Sequence, residues 1–156
     1  MDAATEHARG LARRVVAAAI ELGPLRAAML AGSGARGDAD FYSDIDLLLY
    51  VDEDPPEGRL AALQEAVGGT NVVGIAPGLV QFDVGGVAVQ VSYRTVAQID
   101  EELEAALDRL EEVVGSPNQK MLSGLLEGLP LHGEELLGRW RDRAAAYPDE
   151  LRRASI

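Results

Sequence analysis

Two aspartates two residues apart, Asp44 and Asp46, open an apolar, strand-forming run that continues from Leu47 to Val51. On a strand, side chains two apart project from the same face, so both carboxylates come close enough to share a divalent cation. Without a cation two such acids repel, so the pair itself calls for one. Upstream, the apolar stretch ending at Ala31 reads as a buried strand and runs into Gly32-Ser33-Gly34-Ala35-Arg36-Gly37. Glycines there let the backbone bend tightly and expose N–H groups where a short helix begins, which makes a cradle for an anion. A phosphate cradle beside paired acids suits a metal-bound polyphosphate, whose charge the metal neutralises while orienting attack at phosphorus. Each half also has a plainer reading. Gly-Ser-Gly serves as an ordinary strand-to-helix turn, and Ser43-Asp44-Ile45-Asp46 as a solvated strand entrance with Ser43 as a local cap. Arg36 stays open between facing a triphosphate and pairing with Asp38 or Asp40.

Taken together and in this order, Gly32-Ser33, Gly37 and Ser43-Asp44-Ile45-Asp46-Leu47 resemble the signature of the DNA-polymerase-β-type nucleotidyltransferase superfamily. Its bacterial branch contains the antibiotic (aminoglycoside and lincosamide) nucleotidyltransferases and the minimal nucleotidyltransferase antitoxins. The resemblance implies a nucleotidyltransferase fold over roughly residues 10 to 114. It implies that Gly32, Ser33, Arg36, Gly37 and Ser43 surround the nucleotide's phosphates and that Asp44 and Asp46 ligate two Mg²⁺. A third carboxylate on a later strand then completes the site and acts as base on an acceptor hydroxyl. The sequence departs from the pattern there, because that position is Gln90. An amide cannot act as a general base and is a weak metal ligand.

The elements that position these residues follow from periodicity. Leu11, Val15, Ala18, Ala19 and Leu22 predict a helix over 5–22 with Thr5 as N-cap and Gly23-Pro24 as its stop. Strands are expected over 25–31, 45–51 and 71–75, with a helix starting at Pro55-Pro56 and running to about Val67 between the last two. Leu79–Val84 and Val87–Tyr93 flank Gly85-Gly86, a two-residue hairpin signal. Counting back from the turn pairs Val84 with Val87, Asp83 with Ala88 and Gln81 with Gln90, so Gln81, Asp83, Gln90 and Ser92 share the polar face. Asp83 is then a diagonal neighbour of Gln90, about 7–8 Å away, and a possible substitute for the third acid. Thr95-Val96-Ala97-Gln98 is a capping box opening a helix to about Val114. Further helices are expected over 117–127, over 134–146 and from Tyr147-Pro148 onward, with Trp140 as a packing anchor and His132 in a turn after Pro130-Leu131.

The fold class is therefore α/β (α+β): a mixed β-sheet flanked by helices, with a C-terminal helical extension. Residues 1–114 are expected to form the nucleotidyltransferase domain and 115–156 the extension, which reads as the start of a further helical domain. The apolar positions Leu122, Leu125, Leu126, Leu129, Leu136, Leu137 and Trp140 in that tail predict cover by a second subunit or a helical partner. A formal net charge of −12 argues against extended nucleic acid and suits a small cationic acceptor, although acidity also serves plain solubility. With no cysteine, disulfides, thiolate zinc sites and cysteine nucleophiles are excluded, and His7 and His132 lack metal-ligand spacing. Neither a signal peptide nor a membrane span is legible, so the chain reads as cytoplasmic. Three functions remain open: transfer of a nucleoside monophosphate, AMP first, from ATP or another NTP to a hydroxyl of a small molecule such as an aminoglycoside-like antibiotic; an antitoxin-like transferase acting on a partner protein; and a catalytically degenerate nucleotide-binding domain, which Gln90 favours.

Overall fold

The computed structural model describes residues 3–37, 44–108 and 125–145. Helix α1 (Ala3–Leu22) leads into β1 (Ala27–Ala31), a short α2 (Gly32–Arg36) and β2 (Ile45–Val51). Helix α3 (Arg59–Ala66) precedes a three-strand meander of β3 (Thr70–Ala76), β4 (Leu79–Val84) and β5 (Val87–Thr95). Helix α4 (Val96–Asp108), strand β6 (Leu129–His132) and helix α5 (Glu134–Ala145) complete the described chain.

The six strands form one sheet in the order β3-β4-β5-β2-β1-β6. Its only parallel pair among them is β2 with β5, and the other neighbours run antiparallel, so the sheet is mixed as the sequence predicts. Alternation along the strands feeds two cores. On one face Leu30, Leu47, Leu49, Phe82, Val89 and Val91 pack against Leu11, Val15 and Ala19 of α1 and Leu63 of α3. On the other, Met29 and Tyr50 pack under Ile99 and Leu103 of α4 and Leu136, Leu137 and Trp140 of α5. The predicted hairpin register holds residue for residue, Val84 opposite Val87 and Gln81 opposite Gln90. The capping box is also present in both directions, with Gln98 N–H donating to Thr95 Oγ1 at 3.1 Å and Thr95 N–H donating to Gln98 Oε1 at 3.0 Å.

Several expectations are corrected. Thr5 is not a cap: α1 already includes Ala3, and Thr5 is fully buried inside it. Helix α3 starts at Arg59 rather than at the prolines, because Gly58 takes a left-handed φ of 86° at its N-cap. Residues 130–132, expected as a turn, belong with Leu129 to edge strand β6 on β1. Pro130 is compatible with that because an edge strand has one unpaired side and does not need every N–H. His132 is therefore a strand residue, its Nε2 lying 3.0 Å from the Leu25 carbonyl oxygen. Of the tail's apolar positions, Leu125, Leu136, Leu137 and Trp140 are buried within the chain, while Leu126 and Leu129 are only partly covered by it. Trp140 is the anchor expected, 1% exposed, edge-on to Tyr50 at 4.9 Å and 72°, with its N–H donating to Asp100 at 2.9 Å. The expected elements over 109–124 and from Tyr147 onward lie outside the described residues, as does Leu122.

Candidate active site

Strand β2 carries Asp46 on the α4/α5 side of the sheet, half-buried, with Asp44 exposed just ahead of the strand's first residue. The flanking residues Ile45 and Leu47 are buried on the opposite face, so the alternation that fills one core turns the acid out on the other. Asp46 pairs across β1 with Ala31, and Gly32 follows immediately at the head of α2. The turn at Gly32 has φ +70°, a conformation side chains disfavour, and a Cβ there would sit 3.2 Å from Asp46 Oδ2. Two independent constraints thus favour glycine at this position, and one of them is the carboxylate itself. The glycine turn and Asp46 are consequently neighbours in space, as their order in sequence predicts.

A second set of contacts holds the turn. Arg9 of α1 donates from Nε to the Gly34 carbonyl and from Nη2 to the Ala35 carbonyl, both at 2.9 Å. A five-residue helix is too short to stabilise itself, and a guanidinium on its last carbonyls supplies what the helix lacks. Arg9 is a positioning residue that sequence reasoning missed. It is one of three arginines on α1, beside Arg13 and Arg14, and no motif distinguishes it.

Gln90 stands directly beside Asp46 in the parallel β2/β5 register, and Gln81 directly beside Gln90 in β4. Ala31, Asp46, Gln90 and Gln81 thus make one row across four strands, neighbours separated by about 4.8 Å. The third-carboxylate position therefore faces the same side as Asp46, and an amide occupies it. Gln90 donates from Nε2 to Gln81 Oε1 at 3.2 Å, an interaction two carboxylates could not make. Asp83 is not brought to the acids. It sits on the next row, two strands from β2, and accepts a hydrogen bond from Asn71 Nδ2 at 2.9 Å on the outer strand β3. Gly37 closes α2 with φ +86°. The side chains of Ser33 and Arg36, together with Ser43, Asp38 and Asp40, lie outside the described residues.

From Asp46 a cavity of about 570 Å³ runs along β2 and β5 beneath α4. Its floor is Asp46, Leu48 and Tyr50 from β2 and Gln90, Ser92 and Arg94 from β5. Burial pushes the Tyr50 hydroxyl far above the ordinary tyrosine range, opposed by Arg94 and reinforced by Glu102, so it stays a neutral phenol. Tyr93 is shifted the same way by burial, with Arg59 opposing.

A family model described as a nucleotidyltransferase domain matches residues 12–123. The chain belongs to that family. No curated protein matches it. Nucleotidyl transfer from an NTP is the family's activity, and the matched span contains the glycine turn, both aspartates and the β2/β5 row. No helix among the described residues is long and apolar enough to cross a membrane.

A divalent metal fits this family and these residues within limits. Among the described residues no three histidine, aspartate or glutamate side chains converge as a metal cage. The oxygens that would be available to such an ion are the Asp46 carboxylate and the Gln90 amide oxygen, whose N–H is used on Gln81, with Asp44 exposed two residues ahead of Asp46. Two carboxylates plus phosphate and water oxygens would suit one hard, octahedral cation, and among the described residues no further carboxylate is placed beside them for a second.

Proposed function

We propose that this nucleotidyltransferase domain binds Mg²⁺ with an NTP, ATP first, and transfers the nucleoside monophosphate to a hydroxyl of a small molecule. The observation that carries the reading is the meeting of Gly32 with the Asp46 carboxylate, since a phosphate-holding turn and a metal-holding acid are useful together only for a metal-bound polyphosphate. The backbone N–H groups after Gly32 hold phosphate oxygens, with Ser33, Arg36, Gly37 and Ser43 as the surrounding groups the family resemblance supplies. Asp44 and Asp46 hold Mg²⁺, which when bound supplies charge neutralisation at the phosphoryl group. Gln90 cannot take the acceptor's proton, so on this reading the proton goes to solvent and turnover is expected to be slow. A cavity of about 570 Å³ beside Asp46 is of small-molecule size, which favours a small acceptor over a partner protein. The resemblance and the −12 net charge taken alone point to an aminoglycoside-like antibiotic, and with it a role in antibiotic resistance, an acceptor identity that the lining of this cavity opposes.

A second reading, nucleotide binding without transfer, is favoured by the Gln90–Gln81 amide pair. Calorimetry with Mg·ATP tests the site common to both. The Asp44→Ala, Asp46→Ala double variant, its fold checked by circular dichroism, should lose metal-dependent binding, and binding equal to the parent's refutes the assignment.

A further inference from the structure

We infer that the cavity beside Asp46 is the acceptor subsite, and that it takes a small alcohol with an apolar body and an anionic far end rather than a polycation. The inference rests on the nucleotidyl-transfer reading and adds to it the acceptor's chemical class.

Direction comes first. Strand β1 runs antiparallel to β2, with Ala31 opposite Asp46, Met29 opposite Leu48 and Ala27 opposite Tyr50. The Gly32 turn thus lies past one end of this ladder, while the cavity extends from Asp46 the other way, along Leu48 and Tyr50. In-line displacement puts the attacking and leaving oxygens on opposite sides of the phosphorus. With the leaving pyrophosphate against the turn, the attacking oxygen comes from the cavity. The acceptor's hydroxyl oxygen forms its bond to the α-phosphorus as the bond from that phosphorus to the bridging oxygen breaks. The electron pair leaves with pyrophosphate, and the hydroxyl proton passes to water.

The lining then sets the class. From the Asp46–Gln90 level to the Tyr50–Arg94 level is four residues of strand, about 13 Å. Between these ends the cavity presents Met29, Leu48, Leu79, Ile99 and Leu125, with Ser92 as the small polar exception and Tyr50 uncharged. Among the described lining residues Asp46 is the one acid and Arg94 the one cation, and they stand at opposite ends. An ammonium group placed along the apolar middle of this wall, between Asp46 at one end and the Arg94–Glu102 pair at the other, meets no carboxylate among the described lining residues, and burying an unpaired charge is costly. At the far end, Arg94 uses Nε on Gln98 Oε1 at 3.4 Å and Nη2 on Glu102. A guanidinium has five N–H donors, so this one keeps donors for a carboxylate or another oxygen acceptor.

Three matched eight-carbon probes test this: an ω-hydroxy acid, the corresponding diol and the corresponding amino alcohol, with an aminoglycoside as fourth ligand. Affinities are measured by calorimetry on the full chain with Mg²⁺ and a non-hydrolysable ATP analogue, so the result does not require turnover. The hydroxy acid should bind about tenfold more tightly than the amino alcohol, with the diol between. Arg94→Gln should erase the hydroxy acid's advantage over the diol. Ser92→Phe, which fills the cavity, should weaken all three about tenfold or more while Mg·ATP affinity is retained. Preference for the amino alcohol or the aminoglycoside overturns the inference. So does a Ser92→Phe protein that loses Mg·ATP affinity, since the nucleoside then occupies the cavity. Arg94→Gln, at a half-exposed side chain, decides the matter even where Ser92→Phe does not fold. If the parent binds no Mg·ATP, the nucleotidyl-transfer reading fails separately, and the probe preference is still read on the chain alone.

Discussion

Gly32→Ala tests the junction of turn and carboxylate, and its cost has two parts. The backbone part is the left-handed φ of +70°, which an alanine adopts at a cost of about 1–2 kcal/mol. In a domain of this size each kcal/mol moves the melting temperature by about 2–4 °C, so the variant should melt about 2–8 °C below the parent. The contact part is the new Cβ at 3.2 Å from Asp46 Oδ2, tight enough that the carboxylate must give by a few tenths of an ångström. Mg²⁺ tolerates little departure from ideal octahedral geometry, so Mg·ATP affinity should fall about tenfold, about 1.4 kcal/mol. Gly10→Ala is the control. It lies inside α1 with nothing within 4 Å of the added Cβ, and it should raise stability by about 0.5–1 kcal/mol without touching binding. Differential scanning calorimetry reads the first part and titration calorimetry the second. A Gly32→Ala protein that melts with the parent refutes the backbone argument, and one that is destabilised but binds Mg·ATP normally refutes the proximity to Asp46.

Gln90→Asp restores a carboxylate beside Asp46, and pyrophosphate release with a hydroxyl acceptor should rise by about 10²–10⁴-fold over a slow parent; no gain removes this position from the chemistry. Trp140→Ala should cost about 3–5 kcal/mol in urea unfolding, since the indole is 1% exposed and packed on Tyr50, whereas Trp140→Phe should lose mainly the Asp100 hydrogen bond, about 1 kcal/mol. Burial raises the native Tyr50 pKa above its ordinary 10.0, so above that pH the unfolded chain binds fewer protons than the native one and stability falls as pH rises. Urea midpoints followed upward from neutral pH should therefore decline less steeply in Tyr50→Phe, and an unchanged slope would show that Tyr50 does not drive the loss.

What the sequence disclosed and what it hid divide along physical lines. The β4/β5 register was legible because a two-residue glycine turn fixes the count and a one-residue slip would exchange the faces. Gln98 was legible as a cap because Thr95 stands three residues before it, and Gly32 with Asp46 because both belong to one ordered motif. Strand β6 was hidden because Leu129–His132 is only four residues long, contains a proline and earns its place from β1, about a hundred positions away. Arg9 was hidden as a site partner for the same reason: it acts through a contact between distant segments, which local spacing does not encode, whereas the pairing of Gln81 with Gln90 followed from the hairpin count. The burial of Leu136, Leu137 and Trp140 within the chain likewise depended on α5 folding back over Tyr50.

The parallel join of β2 with β5 has a consequence for how the site comes into being. Asp46 belongs to a segment whose strands β1 and β2 pair locally, and Gln90 to a meander whose strands β3, β4 and β5 pair through short turns. Each of these units can form early from near neighbours, but the row that sets Asp46 beside Gln90 exists only once the long β2-to-β5 crossover has closed. Closing such a loop is an entropic cost incurred before its contacts repay it, which makes long-range parallel pairing a slow event in folding. Asp46 and Gln90 therefore become neighbours only after both units have taken shape, and the site is among the last features the chain acquires.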